Sequence, residues 1–318
     1  MFAESFKVTG LAVSQIFILA AIGFILVRRN ILGEEGLRSL SRLVIEVVFP
    51  CLIVSQLLKN FSFTLYPKWW IFPLTSAAIT LAGLAIGGFF LWFIKDGKIR
   101  IQFLSLVAFQ NSGYLPLALV AAMLAKVTAG TMFIYIFLFL LGFDLIMWSW
   151  GVYLLAHAGK KKFELFSLFS PPVIADLVSL ALIFFGLNKF IPEVILNPVG
   201  MIGNCTLPLA MFIVGGNIAS IHLGYIDKKA MFLMSLAKLV ILPLLGLVFL
   251  LKFRLPEPMG LLVLMQLAMP PATSLSVIIR HYRKEDYLIS QGVFFGHILS
   301  LLTIPLFLSL YFTLSVVK

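Results

Sequence analysis

Charged residues are scarce in this chain of 318 residues: they make up 12% of it, against roughly 25% in ordinary soluble domains. Acidic residues are the scarcer kind, with 13 Asp and Glu beside 24 Lys and Arg. The chain has two cysteines, Cys51 and Cys205, and both fall in apolar segments. The shortage of charge excludes most water-soluble enzymes, and the cysteine count argues against a disulfide framework.

Apolar residues take the place of the missing charge. They make up 61% of the chain, and its mean hydropathy is +1.09. A bilayer core takes about 20 apolar residues per helix, so a chain of this length has room for about ten spans. The apolar runs between polar breaks predict ten helices, at 8–28, 38–58, 69–94, 99–123, 130–156, 171–190, 197–220, 229–252, 258–281 and 286–314. We therefore expect an all-α integral membrane protein with the lipid bilayer as a partner.

Lysine and arginine are distributed unevenly between the predicted loops. Fifteen of the 24 fall in alternate loops, namely Arg28, Arg29, Arg38, Arg42, Lys95, Lys98, Arg100, Lys160, Lys161, Lys162, Lys228, Lys229, Arg280, Arg283 and Lys284. Cytoplasmic loops carry an excess of basic residues, so these loops should face the cytoplasm and both termini the outside of the cell membrane. This topology explains the net charge of +11, and nucleic acid is not an expected partner.

The loop at 158–170 divides the predicted spans into five and five. The first half is 1–157 and the second is 171–318. Because five is odd, a second copy of the first half would lie upside down in the membrane, as in the inverted repeats of many secondary transporters. One offset, the same to within five residues, supports this interpretation: it aligns Pro50 with Pro208 (158 residues apart), Pro116 with Pro270 (154 apart) and Asp144 with His297 (153 apart).

The fourth predicted span contains a proline next to a polar cluster. Pro116 has no N–H, and its ring clashes with the carbonyl of Ser112, four residues earlier. Unpaired backbone groups cost several kcal/mol in hydrocarbon unless they are buried in protein or line a wet cavity. The neighbouring residues supply polar groups and flexibility: Gln110, Asn111, Ser112, Gly113 and Tyr114. We expect this span to break at Pro116.

The ninth predicted span repeats this pattern. Two prolines, Pro270 and Pro271, lie between Gln266 and the pair Thr273–Ser274. A half-helix that restarts after such a break points free N–H groups and about half a positive charge at the membrane midplane. If both breaks cross, the two positive ends could bind an anion without any arginine. The alternative is that both prolines are kinks that only shape the bundle.

Four ionisable residues are singled out inside the spans, where a charge is costly and usually functional. Glu46 lies one turn from Arg42, so local pairing is favoured. Two roles for Lys238 are equally favoured. It could hold helices together by contacting a carbonyl or carboxylate in a neighbouring helix, or it could serve as the counter-charge for a substrate. Asp144 and His297 are candidates for coupling to a cation or a proton, and helix packing explains each of them equally well.

Five motifs are spread over nearly the whole chain: Leu40-Ser41-Arg42-Leu43 leading to Phe49-Pro50, Asn111-Ser112-Gly113-Tyr114-Leu115-Pro116-Leu117, Leu207-Pro208-Leu209 with Gly215, Ala268-Met269-Pro270, and Leu299-Ser300-Leu301-Leu302-Thr303-Ile304-Pro305. In these motifs the chain resembles the auxin efflux carrier family, the PIN-like transporters. That family belongs with the bile-acid, arsenite and riboflavin transporters.

The resemblance implies a ten-helix inverted repeat with a scaffold (spans 1, 2, 6 and 7) and a mobile transport part (spans 3–5 and 8–10). Family members carry organic anions such as auxin, malate or malonate at the point where spans 4 and 9 cross. Asn111 matches the crossover asparagine, and Pro116 and Pro270 match the crossover prolines. This chain departs from the pattern at Asp144, where relatives often have asparagine, at Pro271, and in the spacing of five residues from Asn111 to Pro116.

The main hypothesis is a secondary transporter of a small organic anion that works by elevator-like alternating access. Its candidate binding residues are Gln110, Asn111, Ser112, Gly113, Tyr114, Pro116, Gln266, Pro270, Pro271, Thr273 and Ser274. A sodium-coupled symporter of the bile-acid carrier type and a passive channel or sensor are the alternatives. An enzyme is disfavoured because metal-binding and nucleophile motifs are missing. No cofactor or metal is expected, and a homodimer is left open.

Overall fold

The computed structural model describes residues 1–151, 169–221, 227–253, 255–276 and 287–316. Within these ranges the regular secondary structure is helical, apart from one isolated β-bridge between Gln110 and Pro271. Most of the predicted cytoplasmic loop at 158–170, including Lys160, Lys161 and Lys162, lies outside the described residues.

The helices of the described ranges are α1 (Phe2–Arg28), α2 (Glu34–Asn60), α3 (Ile71–Phe93), α4 (Gly97–Ala108), α5 (Tyr114–Met123), α6 (Lys126–Gly151), α7 (Pro171–Phe184), α8 (Glu193–Ala219), α9 (Lys228–Phe253), α10 (Glu257–Ala268) and α11 (Tyr287–Val316). Seven of them are long and apolar enough to cross a membrane: α1, α2, α3, α6, α8, α9 and α11. The shorter apolar helices are α4, α5, α7 and α10.

Of the helix bounds that fall within the described residues, most agree with the predicted spans to within four residues, and two do not. Helix α1 begins at Phe2 rather than at 8. Helix α7 ends at Phe184 rather than at 190, because Gly186 adopts a left-handed conformation with φ +69° and starts a short 3₁₀ turn, Leu187–Phe190. The predicted ends of the fifth and ninth spans, at 156 and 281, lie outside the described residues. The fourth and ninth predicted spans are interrupted, as described below.

Helices α2 and α8 are irregular near a proline, although no loop interrupts them. Helix α2 contains a π-helical turn, Val44–Val48, just before Pro50, and the α-helical pattern of α8 is interrupted at Cys205 alone, just before Pro208. The two irregular turns meet, since Thr206 Oγ1 donates a buried hydrogen bond of 3.1 Å to the carbonyl of Val48. We call this contact the kinked crossing.

Small residues let other helices approach closely. A methyl group on Gly215 of α8 would overlap the carbonyl oxygen of Ala20 in α1, so this crossing requires glycine. Helix α1 also contacts α11, where the hydroxyls of Thr9 and Ser309 lie 2.9 Å apart. The outer faces carry large apolar side chains such as Leu302, which is 69% exposed. An apolar exterior of this extent is expected of a surface that faces lipid.

Candidate functional site

The fourth and ninth predicted spans are interrupted near their middles. Helix α4 ends at Ala108 and α5 begins at Tyr114, while α10 ends at Ala268 and helix resumes at Ser274. The first break lies before Pro116 and not at it. Pro116 sits in the first turn of α5, where a missing N–H costs no helical hydrogen bond. Polar residues and Gly113 therefore form the break, and Pro116 starts the next half-helix.

The two breaks pair with each other through their backbones. The N–H of Asn111 donates to the carbonyl of Pro270 at 2.8 Å, and the N–H of Ala272 donates to the carbonyl of Phe109 at 3.0 Å. These two bonds make the β-bridge between Gln110 and Pro271. We call this contact the broken crossing. The expectation that the amide hydrogens at both breaks are free was wrong for Asn111 and Ala272, because each break supplies a carbonyl acceptor to an N–H group of the other.

Other N–H groups at the breaks stay available. Among the described residues, the N–H groups of Ser112, Gly113 and Tyr114 have no hydrogen-bond acceptor, and those of Thr273 and Ser274 have none either. The first three lead into α5, and the other two lead into the half-helix that resumes after α10. Both half-helices thus begin with unpaired donors, and such an end carries a partial positive charge.

The residues that carry both sets of donors line one cavity of about 150 Å³. Its polar lining consists of Gln110, Asn111, Ser112, Gly113, Tyr114, Asp144, Ser170, Thr273 and Ser274. Its apolar lining consists of Ile45, Phe49, Leu140, Phe143, Met147, Trp148, Pro172 and Ala272. A cavity with mainly apolar walls and a few convergent polar groups is the usual form of a small-molecule site.

Asn111 is held in place by a buried histidine. His297, on α11, is fully buried, and its Nδ1 lies 2.8 Å from the carbonyl of Val293. A carbonyl only accepts, so Nδ1 carries the proton and the other ring nitrogen, Nε2, accepts in the neutral tautomer. Nε2 lies 3.4 Å from Asn111 Nδ2, which can donate to it. His297 therefore orients Asn111 from behind and does not line the cavity.

Gln266 also supports the first break, by a hydrogen bond to its backbone. It is fully buried on α10, and its Nε2 donates to the carbonyl of Ser112 at 3.0 Å. This bond occupies the carbonyl that Pro116, lacking an N–H, leaves without a helical donor. Two buried amide atoms of the broken crossing have no partner among the described residues, Gln266 Oε1 and Gln110 Nε2.

Lys238 lies behind the broken crossing and not in the cavity. It belongs to a π-helical turn of α9, Leu236–Ile241, and its side chain is 1% exposed. Its Nζ donates to the carbonyl of Val107 at 3.0 Å and to Gln110 Oε1 at 3.5 Å. Of the partners considered from the sequence, the structure gives this lysine a carbonyl and no carboxylate within the described part of the chain.

Two acidic residues lie near the cavity. Asp144, on α6, is half-buried in its lining, and its carboxylate makes no hydrogen bond or ion pair with any described residue. Asp176, on α7, is buried one turn beyond the lining residue Pro172, and its Oδ1 has no partner there. The sequence analysis missed Asp176. An acidic residue inside an apolar span was the signal that could have found it.

The structure thus brings together eight of the candidate residues around one cavity: Gln110, Asn111, Ser112, Gly113, Tyr114, Asp144, Thr273 and Ser274. The other six lie behind it, namely Pro116, Lys238, Gln266, Pro270, Pro271 and His297. Four of these six contact cavity residues directly through the hydrogen bonds given above. The described residues hold no cluster of three or more potential metal-ligating His, Cys, Asp or Glu side chains.

Comparison with known proteins gives both a family and individual relatives. The profile of the family described as membrane transport protein matches residues 10–164 and 155–308. Protein PIN-LIKES 6 of Arabidopsis thaliana is similar at 27% identity over 120 residues, which cover 37% of this chain and 28% of that protein. A protein of Methanothermobacter thermautotrophicus named "Uncharacterized transporter" is 27% identical over 304 residues, covering 92% of this chain and 95% of its relative.

Proposed function

The chain belongs to the membrane transport protein family, which includes the auxin efflux carriers and PIN-like transporters that its motifs resemble, and we propose that it is a secondary carrier of a small organic anion. The family is one of membrane transport proteins, and the relative that covers nearly the whole chain is named a transporter, so the chain is a multi-pass membrane transporter and not an enzyme.

The observation that carries this proposal is the shared position of the two half-helix beginnings. Gly113 and Tyr114 at one beginning and Thr273 and Ser274 at the other have unpaired N–H groups, and all four residues line the same cavity. Helix N-termini favour anions because their free N–H groups and the helix dipole act together. Among the described lining residues there is no Lys or Arg, so we assign the positive potential to these backbone donors.

Cavity size and lining favour a short carboxylate. A volume of about 150 Å³ accommodates one molecule of about the size of benzene. The walls contributed by Phe49, Phe143 and Trp148 suit a hydrocarbon part, while Asn111 and the N–H groups suit a carboxylate. Within the family's substrates, malate and malonate fit this volume better than auxin with its indole ring.

Asp144 gives the proposed carrier a place for a proton. Its carboxylate would lie beside the bound anion, and two like charges repel each other strongly in a low-dielectric site. Binding is therefore favoured when Asp144 is protonated or when the substrate brings its own proton. We propose that the anion and one proton move together.

The proposed architecture is the ten-span inverted repeat. Helices α4 and α5 form the fourth span, and α10 with the half-helix that follows it forms the ninth. The cavity draws its lining from both proposed parts: Ile45, Phe49 and Pro172 belong to the scaffold helices α2 and α7, and most other residues to the transport part. A substrate held at this interface can change sides when the transport part slides along the scaffold.

The proposed orientation places the cavity opening on the cytoplasmic side. The lining residues Ile45, Trp148 and Ser170 are not buried. In the sequence, Ile45 follows shortly after Arg42, and Ser170 follows shortly after the basic run Lys160, Lys161 and Lys162. Basic loops favour the cytoplasm, so the described conformation corresponds to an inward-facing state of the cycle. In this orientation both termini are outside the cell membrane.

Uptake by proteoliposomes tests the binding site. Radiolabelled malonate or malate is supplied to wild type, Asn111→Ala and Pro116→Ala, and we expect initial uptake to fall about tenfold or more in both variants, the effect of losing roughly 1.4 kcal/mol. Matched controls are Asn60→Ala, at the exposed end of α2, and Pro198→Ala, an exposed proline inside α8. Uptake unchanged in Asn111→Ala and Pro116→Ala would refute the proposed site.

A thermal-shift screen identifies the substrate class. Purified protein is heated with a panel of mono- and dicarboxylates, since a ligand that binds only the folded state raises the unfolding midpoint. We expect short carboxylates to raise it and bulky ring-containing acids to leave it unchanged. The opposite order would mean that the cavity of about 150 Å³ is not the substrate site.

A further inference from the structure

Lys238 presents a buried charge to the end of a helix. Its Nζ lies 3.0 Å from the carbonyl oxygen of Val107, the residue before the last one of α4. Its second partner is the side-chain oxygen of Gln110, at 3.5 Å. Within the described ranges the ammonium has no acidic partner, and the side chain is 1% exposed.

Oxygen atoms at such a position attract cations. The C-terminal end of α4 carries a partial negative charge, because its last carbonyls have no helical donors. In carriers with interrupted helices, carbonyls of this kind coordinate the coupling cation. The broken crossing therefore has two electrostatic sides: residues with unpaired N–H groups line the cavity, and oxygen atoms of Val107 and Gln110 contact Lys238.

We propose that the ammonium of Lys238 is a tethered cation that permanently occupies the cation position of the broken crossing. Anion transport then requires no sodium, because the oxygens that would bind it are already neutralised. Removing the amine but leaving its space opens this position to a free monovalent cation. This inference deepens the proposed function, and its binding test does not depend on the identity of the anion.

Burying a charged amine costs free energy, so packing of the side chain alone does not explain why residue 238 is a lysine. Burying an ammonium ion costs several kcal/mol, and apolar residues of similar size often replace buried charges without loss of stability. A lysine with two oxygen partners and no acid is therefore a poor structural clamp. It is well suited to offset the partial charge of a helix end that cannot be hydrated.

Three variants separate charge from volume. Lys238→Ala removes both the amine and the chain, Lys238→Met keeps most of the volume without the charge, and Lys238→Arg keeps the charge. Unfolding midpoints are measured in sodium chloride, methylammonium chloride and choline chloride at equal ionic strength. Choline serves as the reference because its bulky cation cannot enter the vacated space.

We expect Lys238→Ala alone to gain a cation response, with a midpoint about 2–4 °C higher in sodium or methylammonium than in choline, a shift typical of modest ligand stabilisation. Wild type, Lys238→Met and Lys238→Arg should show equal midpoints in the three salts. In proteoliposomes, wild-type flux of malonate should be the same with sodium and with choline.

Two results would overturn the inference. The first is a folded Lys238→Ala protein whose midpoint is the same in all three salts. The second is wild-type protein stabilised specifically by sodium, which decides the matter even if Lys238→Ala does not fold. The midpoints report on this cation position even if no carboxylate is transported, so failure of the carrier proposal and failure of this inference remain distinguishable.

Discussion

The kinked crossing and the broken crossing each join two predicted spans that contain proline, and they differ in outcome. At the kinked crossing, Pro50 and Pro208 lie just after irregular turns of α2 and α8, and one hydrogen bond from Thr206 to Val48 joins these turns. At the broken crossing, the helices stop, the two backbones pair, and residues with unpaired N–H groups line a cavity.

The difference lies in the residues around each proline. Pro50 follows Val47, Val48 and Phe49, which offer no polar side chain to replace helical hydrogen bonds, so α2 stays continuous through a π-helical turn. Pro116 follows a run of amides, a hydroxyl and a glycine, and these groups can satisfy an opened backbone. A proline in a membrane helix therefore produces a site only where neighbouring polar groups allow the helix to break.

The largest expected effect concerns bulk at the kinked crossing. A Cβ on Gly203 would lie 2.7 Å from the backbone of Leu52, so Gly203→Val must push α8 away from α2. We expect little or no folded protein by size-exclusion chromatography. The control is Gly88→Val on α3, where an added Cβ meets nothing within 4 Å. Normal folding of Gly203→Val would show that the kinked crossing is not a fixed contact.

The next effect concerns Asp144, the acid that lines the cavity of the broken crossing. We expect Asp144→Asn to bind malonate but to lose most of the stimulation of uptake by an inward proton gradient, because the amide cannot carry a proton. Uptake with and without a pH difference checks this, with Glu193→Gln, at the exposed start of α8, as the control. Retained stimulation would exclude Asp144 as the proton carrier.

A smaller effect concerns bulk at the broken crossing, matched to Gly203→Val. A Cβ on Gly113 would lie 3.5 Å from Leu140, an ordinary contact, and the φ of −108° suits any residue. Gly113→Ala should therefore fold normally. Its methyl group adds bulk beside the N–H donors. We therefore expect the malonate concentration that gives half-maximal uptake to rise about tenfold, equivalent to roughly 1.4 kcal/mol. Unchanged half-saturation would place the anion away from Gly113.

The smallest effect concerns the hydrogen bond of the kinked crossing. Thr206→Val removes the donor to Val48 and keeps the shape, and bonds of this kind in membrane proteins contribute about 0.6 kcal/mol on average. We expect a slightly lower unfolding midpoint and unchanged malonate uptake. A large loss of uptake in a stable Thr206→Val protein would contradict this prediction and show that the kinked crossing takes part in transport.

Much of the fold could be predicted from the sequence because apolar runs and prolines are local signals. The helical class and most helix bounds are confirmed, and the pairing of Arg42 with Glu46 is confirmed at 2.8 Å. Both interruptions were expected from proline next to polar residues, although the first lies before Pro116.

The remaining features depend on contacts between distant parts of the chain. The backbone bonds between 109–111 and 270–272 join segments about 160 residues apart, and no periodicity reports such pairing. The partner of Lys238 is a main-chain carbonyl, which has no signature in a sequence. These contacts decide which N–H groups are used within the broken crossing and which stay free.

Hydrogen–deuterium exchange with and without saturating malonate or malate tests the central claim most directly. We predict that the carboxylate slows exchange in peptides covering 112–115 and 273–276, whose N–H groups include the unpaired donors, and leaves peptides covering 203–209 of the kinked crossing unchanged. Protection confined to other segments, or equal protection at both crossings, would contradict the claim that the two half-helix beginnings hold the anion.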